Sequence, residues 1–310
     1  MPGPSPVPAV LVVLGPTATG KTDVAIRIAE TLDGEIISAD SRAFFAGLDI
    51  VTAKPTPEER NRVPHHLIDR VPMDGSYDAM EFRRDVAKLV PDIAGRGRVP
   101  ILAGGATLYL AAVLRGLFEG PGKDPSFRDS VAGVPSAELH ARLAHVDPDA
   151  AVAIHAHDRL RIVRALEVHA STGRAMSALQ REAEPLSFRF RRFGLQCRAD
   201  EHRAAIAARA RRMLDAGLLR EAAGWRHGGL TPACQAYRSV GVREAIAALD
   251  GGSETALREA LLRDTWALAR RQMSWFRREP DVRWIDVTQR TAADVAEEIV
   301  AFWRQEEGTT

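Results

Sequence analysis

A chain of 310 residues, 45% hydrophobic and 27% charged, is long enough for one large domain with an insertion or for two domains, and its composition excludes collagen-like, disordered and disulfide-stapled proteins. A net charge of +1 argues against a uniformly basic nucleic-acid binder, but the charge is unevenly spread. Residues 187–283 hold nineteen arginines, no lysine and eleven acidic residues, a surplus of eight positive charges that suits a polyanion-facing surface.

The proline-rich stretch 1–8 lacks a basic n-region and reads as a disordered lead rather than a signal peptide. Val10–Leu14 follows as a short apolar run, and the octapeptide Gly15, Pro16, Thr17, Ala18, Thr19, Gly20, Lys21, Thr22 matches G-x-x-x-x-G-K-[ST] in full. In that loop consecutive backbone N–H groups point inward, and the next helix adds the positive end of its dipole. Lys21 then sits on the outer phosphates and the Thr22 hydroxyl ligates Mg2+, as in nucleotide- and ATP-binding loops. Helical periodicity covers Asp23–Leu32 and Ala79–Ala94, and Glu35–Ala39 and Val99–Ala103 read as further buried parallel strands. The alternation predicts an α/β fold, a P-loop NTPase-like parallel sheet flanked by helices.

Asp40 closes the second strand, where open α/β sheets bind ligands, as a Mg2+-directing carboxylate, a general base for an acceptor or a turn residue. The composition break at 121–125 opens helical patterns over Ser136–His145, Pro148–His155 and Asp158–Ser171, predicting a helical insertion domain at 120–190 within a core of 9–119 and 191–310. Phe190–Cys197 returns as a strand, followed by helices His202–Ala216, Arg243–Leu249 and Glu254–Arg278 and a final strand Arg283–Val287. On Glu254–Arg278, Leu262, Trp266, Met273 and Phe276 have core spacing. Arg263, Arg270 and Arg277 recur on another face that suits a nucleic-acid backbone or plain solvent equally. No run spans a membrane, and Cys197 and Cys234, outside any CxxC, fit buried thiols in a reducing cytoplasm. His65-His66, adjacent and so pointing apart, read as a structural or RNA-contacting loop rather than metal ligands.

Eight blocks occur in order: Gly15–Thr22; Ile37–Arg42; Gly47–Ile50 with Thr52–Thr56; Val63–Asp69; Gly104-Gly105 with Leu108-Tyr109; Arg161–Glu167; Met213-Leu214 with Gly217-Leu218; and Arg271-Gln272 with Trp275-Phe276. Over residues 9–287 the chain resembles the tRNA dimethylallyltransferase (tRNA isopentenyltransferase) family. The resemblance implies transfer of a prenyl group from dimethylallyl pyrophosphate to N6 of the adenosine 3′ of the anticodon, with the loop holding a departing pyrophosphate. It implies catalytic roles for Asp40, Lys21 and Arg209, Asp40 orienting or accepting the N6 proton and Arg209 stabilising the pyrophosphate. It also implies contacts to the tRNA anticodon stem-loop from Asp40, Ser41, Arg42, Ala43, Leu160, Arg161, Ile162, Val163, Arg164, Arg238 and Arg243. A monomer in the cytoplasm, with no membrane partner, is expected. The sequence departs from the family pattern at Ala43, Phe45, Ala46, Ala106, Ala205, Val242 and Trp266, mostly on the acceptor side. The alternatives are prenylation of a free adenine nucleotide and a P-loop small-molecule kinase with Asp40 as base.

Overall fold

The computed structural model describes residues 7–308, so residues 1–6 of the expected lead lie outside the described residues. Val7 and Pro8 are tied down rather than disordered: the Pro8 carbonyl accepts the Arg189 N–H at 3.0 Å, and Val7 accepts from Arg189 Nε at 3.3 Å.

Six strands form one sheet: β1 (Ala9–Leu14), β2 (Gly34–Ala39), β3 (His65–His66), β4 (Val99–Gly104), β5 (Arg189–Gln196) and β6 (Val282–Asp286). Their order is β3-β2-β4-β1-β5-β6 and every pairing is parallel. β2 is buried along its whole length and β1 at all but its first residue, which explains their unbroken apolar runs. The helices Lys21–Leu32 and Ala292–Glu307 cover one face, packing Ile28, Ile299 and Trp303 into a core with Leu11, Val13 and Phe193. Parallel connection brings the loops after β1, β2 and β4 to the same edge, beside the point where strand order reverses. Gly104 ends β4 so close to β2 that a Cβ there would lie 2.1 Å from the Ala39 carbonyl oxygen.

His65-His66, expected in a loop, are β3, registered opposite Ile36 and Ile37. His66 Nε2 donates to the buried Glu35 carboxylate at 2.7 Å, and Arg96 donates to the same oxygen at 2.7 Å. A two-residue strand carries no periodicity, so only its pairing defines it.

The chain divides into two compact units, residues 7–110 with 187–308, and residues 111–186. The second unit starts earlier and ends sooner than the 120–190 suggested by composition. Val113 accepts from the Leu186 N–H at 3.0 Å, Gly116 packs directly on the Glu184 backbone, and Arg164 donates to the Pro121 carbonyl at 2.8 Å. The first two of these contacts draw residues 113–116, expected within the core, into the helical unit. Its core joins Leu139 and Leu143 of helix Ser136–Val146 to Ile162, Val163 and Ala165 of helix Arg159–Thr172.

On helix Glu254–Phe276 the buried residues are Leu257, Ala260, Leu261, Ala269 and Phe276, whereas Leu262, Trp266 and Met273 are half-buried. Phe276 is buried as expected, while the core stripe is rotated so that Leu262, Trp266 and Met273 lie on its margin. Cys197 and Cys234 are free and half-buried rather than fully buried.

Glu167, fully buried in the second unit, accepts from Arg128 Nε at 2.7 Å, Arg164 Nη1 at 2.6 Å and the Asp124 N–H at 2.9 Å. Hydrogen bonding to Arg128 leads the effects that hold its carboxyl down at about 2. A carboxyl depressed on folding stabilises above its unfolded value, near 4.5, and loses that contribution as pH falls toward 2. Because both arginines are about a third exposed, solvent screening limits the contribution to about 2 kcal/mol. Glu167→Gln is therefore expected to lower stability by about 2 kcal/mol at pH 7, in chemical denaturation followed by circular dichroism. The gap from wild type should close as pH is lowered from 4.5 toward 2.

Candidate active site at the carboxyl edge of the sheet

The loop leaves β1 through Gly15, where a Cβ would meet the Leu195 carbonyl oxygen at 2.7 Å, so only glycine passes beside β5. Ala18 (φ 63°) and Gly20 (φ 77°) take left-handed conformations before the Lys21–Leu32 helix begins. Such turns gather backbone N–H groups into an anion-binding concavity at a helix N-terminus. Lys21 Nζ donates to the Pro16 carbonyl at 2.6 Å, and Thr19 Oγ1 donates to the same carbonyl at 2.9 Å. Thr22 is exposed on the first helical turn.

Burial lowers the Lys21 pKa to about 7; Asp40 pulls it back up and Arg209 pushes it further down. Arg209 is likewise lowered by burial and opposed by Asp40. Lys21, Asp40 and Arg209 therefore form one electrostatic cluster, joining residues far apart in the chain. An arriving polyphosphate would supply the countercharge this cluster lacks.

Arg209 lies on helix Ala199–Asp215 and donates through Nη2 to the Thr52 carbonyl at 2.9 Å. Thr52 ends the short helix Asp49–Thr52, whose first three N–H groups are taken by Glu221, at 2.6 and 2.7 Å to Oε1 and 3.0 Å to Oε2. Buried Lys54 fastens the same turn, donating to the Phe45 carbonyl at 2.7 Å and to Asp49 and Asp69 at 2.6 Å each. Through Thr52, Lys54 and Asp69, the Thr52–Thr56 and Val63–Asp69 blocks hold the anchor of Arg209.

Asp40 turns the chain after β2 by accepting the Arg42 N–H at 2.9 Å, leaving its carboxylate half-buried. Burial lowers the Arg42 pKa, Asp40 and Tyr109 raise it, and Arg238 lowers it. Arg42 Nη1 donates to the Gln235 carbonyl at 3.1 Å, while the Gln235 side chain donates to the Tyr77 carbonyl at 3.0 Å and the Tyr109 hydroxyl at 3.2 Å. Ser41 is half-buried beside these groups, but Ala43 is 4% exposed, and its side chain belongs to the core rather than to a binding surface.

Arg238, Arg243 and Arg271 line a cleft of about 320 Å³ together with Glu244 and Asp264. In the second unit, Leu160 and Arg161 are exposed. Ile162 and Val163 are core residues and Arg164 is committed to Glu167, so three of the five residues expected to meet RNA there are structural. Helical periodicity accounts for this, because five consecutive residues circle the helix and cannot share one face.

Several site residues escaped the sequence reading. Gln235, Glu221 and His202 sit in no phosphate-binding motif, and their roles rest on contacts across more than 120 residues. Gln272 did lie within a quoted block, yet nothing in that block pointed to the phosphate loop.

The IPP transferase family model matches residues 43–279. The chain is 39% identical over 302 residues to a tRNA dimethylallyltransferase 2 of Geotalea uraniireducens, covering 94% of this chain and 96% of that one. It is 42% identical over 291 residues to a tRNA dimethylallyltransferase of Methylococcus capsulatus, covering 90% and 93%. Among solved structures it is similar to the full-length tRNA isopentenylpyrophosphate transferase of Bacillus halodurans, with a TM-score of 0.72, 33% identity and 96% of each chain covered.

Removing the Lys21 ammonium deletes a charge-assisted contact. Lys21→Ala is expected to weaken binding of inorganic pyrophosphate by about tenfold or more in calorimetric titration. An unchanged affinity would remove Lys21 from the anion site.

Proposed function

The chain belongs to the IPP transferase family, and from that membership we propose that it transfers a dimethylallyl group from dimethylallyl pyrophosphate to N6 of the adenosine 3′ of the anticodon in tRNA, releasing pyrophosphate. The observation that carries this reading is the Lys21–Asp40–Arg209 cluster, which sets two half-buried cations and one carboxylate at the mouth of a phosphate loop. A cationic cradle stabilises negative charge as it develops on a leaving group, and a carboxylate beside it can take a proton from the attacking nitrogen.

In this reading the allylic C–O bond breaks as the N6 nitrogen attacks the same carbon. Its electron pair leaves with the pyrophosphate, where the loop amides, Lys21 and Arg209 receive the charge. Asp40 orients the amino group and accepts the proton it loses. Thr17 and Thr22 lie on the pyrophosphate. The donor set also fits Mg2+: Thr22 offers an exposed hydroxyl on the first turn, suited to a hard cation that shares its shell with phosphate oxygens and water. When bound, that ion would neutralise charge on the departing pyrophosphate.

The adenine must leave its stack to reach a site at the strand ends. Ser41, Arg42, Arg238 and Arg243 are the first unit's RNA contacts in this reading, with Leu160 and Arg161 in the second. We take the enzyme to act as a monomer in the cytoplasm, where tRNA is available. Among the described residues no helix is long and apolar enough to cross a membrane. A free nucleotide acceptor and a kinase reaction are not favoured, since the three similar proteins described above are named as enzymes of tRNA.

Incubation with labelled dimethylallyl pyrophosphate, Mg2+ and either tRNA or AMP tests the assignment. Label is expected in tRNA carrying adenosine after its anticodon; label in AMP alone overturns it. Asp40→Ala should abolish transfer while leaving pyrophosphate affinity within about threefold, whereas a large affinity loss would make Asp40 a donor or metal ligand. For the basic cleft, Arg238→Gln and Arg243→Gln should each weaken tRNA binding and reduce the slope of log K against log salt by about 1. An unchanged slope would place those side chains off the RNA backbone.

A further inference from the structure

Thr17, on the outer turn of the phosphate loop, has both backbone groups tied to helices that lie far along the chain. Its N–H donates to Gln272 Oε1 at 2.8 Å, and its carbonyl accepts from His202 Nε2 at 2.8 Å. Gln272 lies on helix Glu254–Phe276 and His202 on helix Ala199–Asp215. The other end of the Gln272 amide donates to the Gly105 carbonyl at 2.7 Å. One planar amide thus bridges the loop after β1 and the turn after β4 at a fixed spacing. A Cβ at Gly105 would meet Gln272 Nε2 at 2.7 Å, so glycine there leaves room for the bridge.

His202 is 7% exposed and packs edge-on against Trp266 with ring centroids 5.5 Å apart. Arg203 lies over the same indole, 4.7 Å from its centroid. The ring that holds Thr17 is therefore itself held. Gly20, at the far end of the loop, has nothing within 4 Å of where a Cβ would lie, so the loop is braced on its Thr17 side.

We propose that Gln272 and His202 are positioning residues for the donor pyrophosphate: by fixing Thr17 through its N–H and its carbonyl, they hold the phosphate loop in its anion-binding shape. Neither touches the reacting atoms. Both act through the loop, and the proposal rests on the reading of that loop as the donor site. A pre-shaped cradle spares the donor the ordering of the loop, and a displacement of about 1 Å can cost a hundredfold in rate or affinity. Arg271, adjacent to Gln272 in sequence, lines the basic cleft, so the same helix carries the loop brace and a wall of that cleft.

The test compares wild type with Gln272→Met, His202→Ala and His202→Gln in the full-length enzyme. Gln272→Met and His202→Ala should raise the Kd for inorganic pyrophosphate and the KM for dimethylallyl pyrophosphate together, at least tenfold. The KM for tRNA should stay within twofold. His202→Gln, which keeps an N–H donor at similar reach, should recover to within threefold of wild type. Pyrophosphate affinity within twofold of wild type in folded Gln272→Met and His202→Ala would overturn the proposal, as would a His202→Gln variant as impaired as His202→Ala. Hydrogen exchange in wild type reads the same bonds without any variant: the Thr17 amide should be protected to the level of the neighbouring helix, and free exchange there also overturns it. A wild type that binds pyrophosphate but transfers no prenyl group would refute the function assigned above and leave this brace standing.

Discussion

Placing two cations, Lys21 and Arg209, in a poorly solvated site with a single carboxylate is the constraint on which the rest of the structure depends. Desolvation works against each charge, which is why Lys21 is driven down to about 7. Such a site is stable only if a scaffold holds its members in place and a polyanion completes it. β1, the left-handed turns at Ala18 and Gly20 and the helix dipole provide the first half of that scaffold. The Glu221-capped turn and buried Lys54 provide the other, through the Thr52 carbonyl that receives Arg209.

The same constraint accounts for the all-parallel sheet. Parallel connections bring the loops after β1 and β2 to one edge, where Asp40 just beyond β2, Lys21 at the start of helix Lys21–Leu32 and Arg209 of helix Ala199–Asp215 share a field. Gly15, Gly104 and Gly105 are places where this convergence leaves no room for a side chain. The chemistry assigned to the site uses the field twice, first to hold the donor and then to receive the charge that leaves with pyrophosphate.

Much of this was legible in the chain. The phosphate loop, β2 with Asp40 just beyond its end and the parallel alternation rest on local rules, because a buried strand and a phosphate turn each write their requirements into consecutive residues. Less legible were features whose meaning depends on pairing. His65-His66 became a strand only by lying beside Ile36 and Ile37, and Ile162, Val163 and Arg164 became core and counter-ion only once helix Arg159–Thr172 had a buried face. The boundary of the helical unit moved for a similar reason, as Val113 and Gly116, which composition assigned to the core, meet the backbone of Leu186 and Glu184.

By itself, then, the sequence determined a phosphate-loop motif at the edge of a parallel sheet, and its motif blocks placed it among tRNA prenyltransferases. Tertiary structure alone decided which distant groups shape that grip. Gln272, His202, Glu221 and Gln235 are amides, an imidazole and a carboxylate that any surface could display; they acquire a role only where folding brings them within 3.2 Å of a backbone or hydroxyl partner. The reason is physical: a hydrogen bond is specified by position and direction in space, whereas sequence spacing specifies only those partners that lie within a turn of helix or a step of strand.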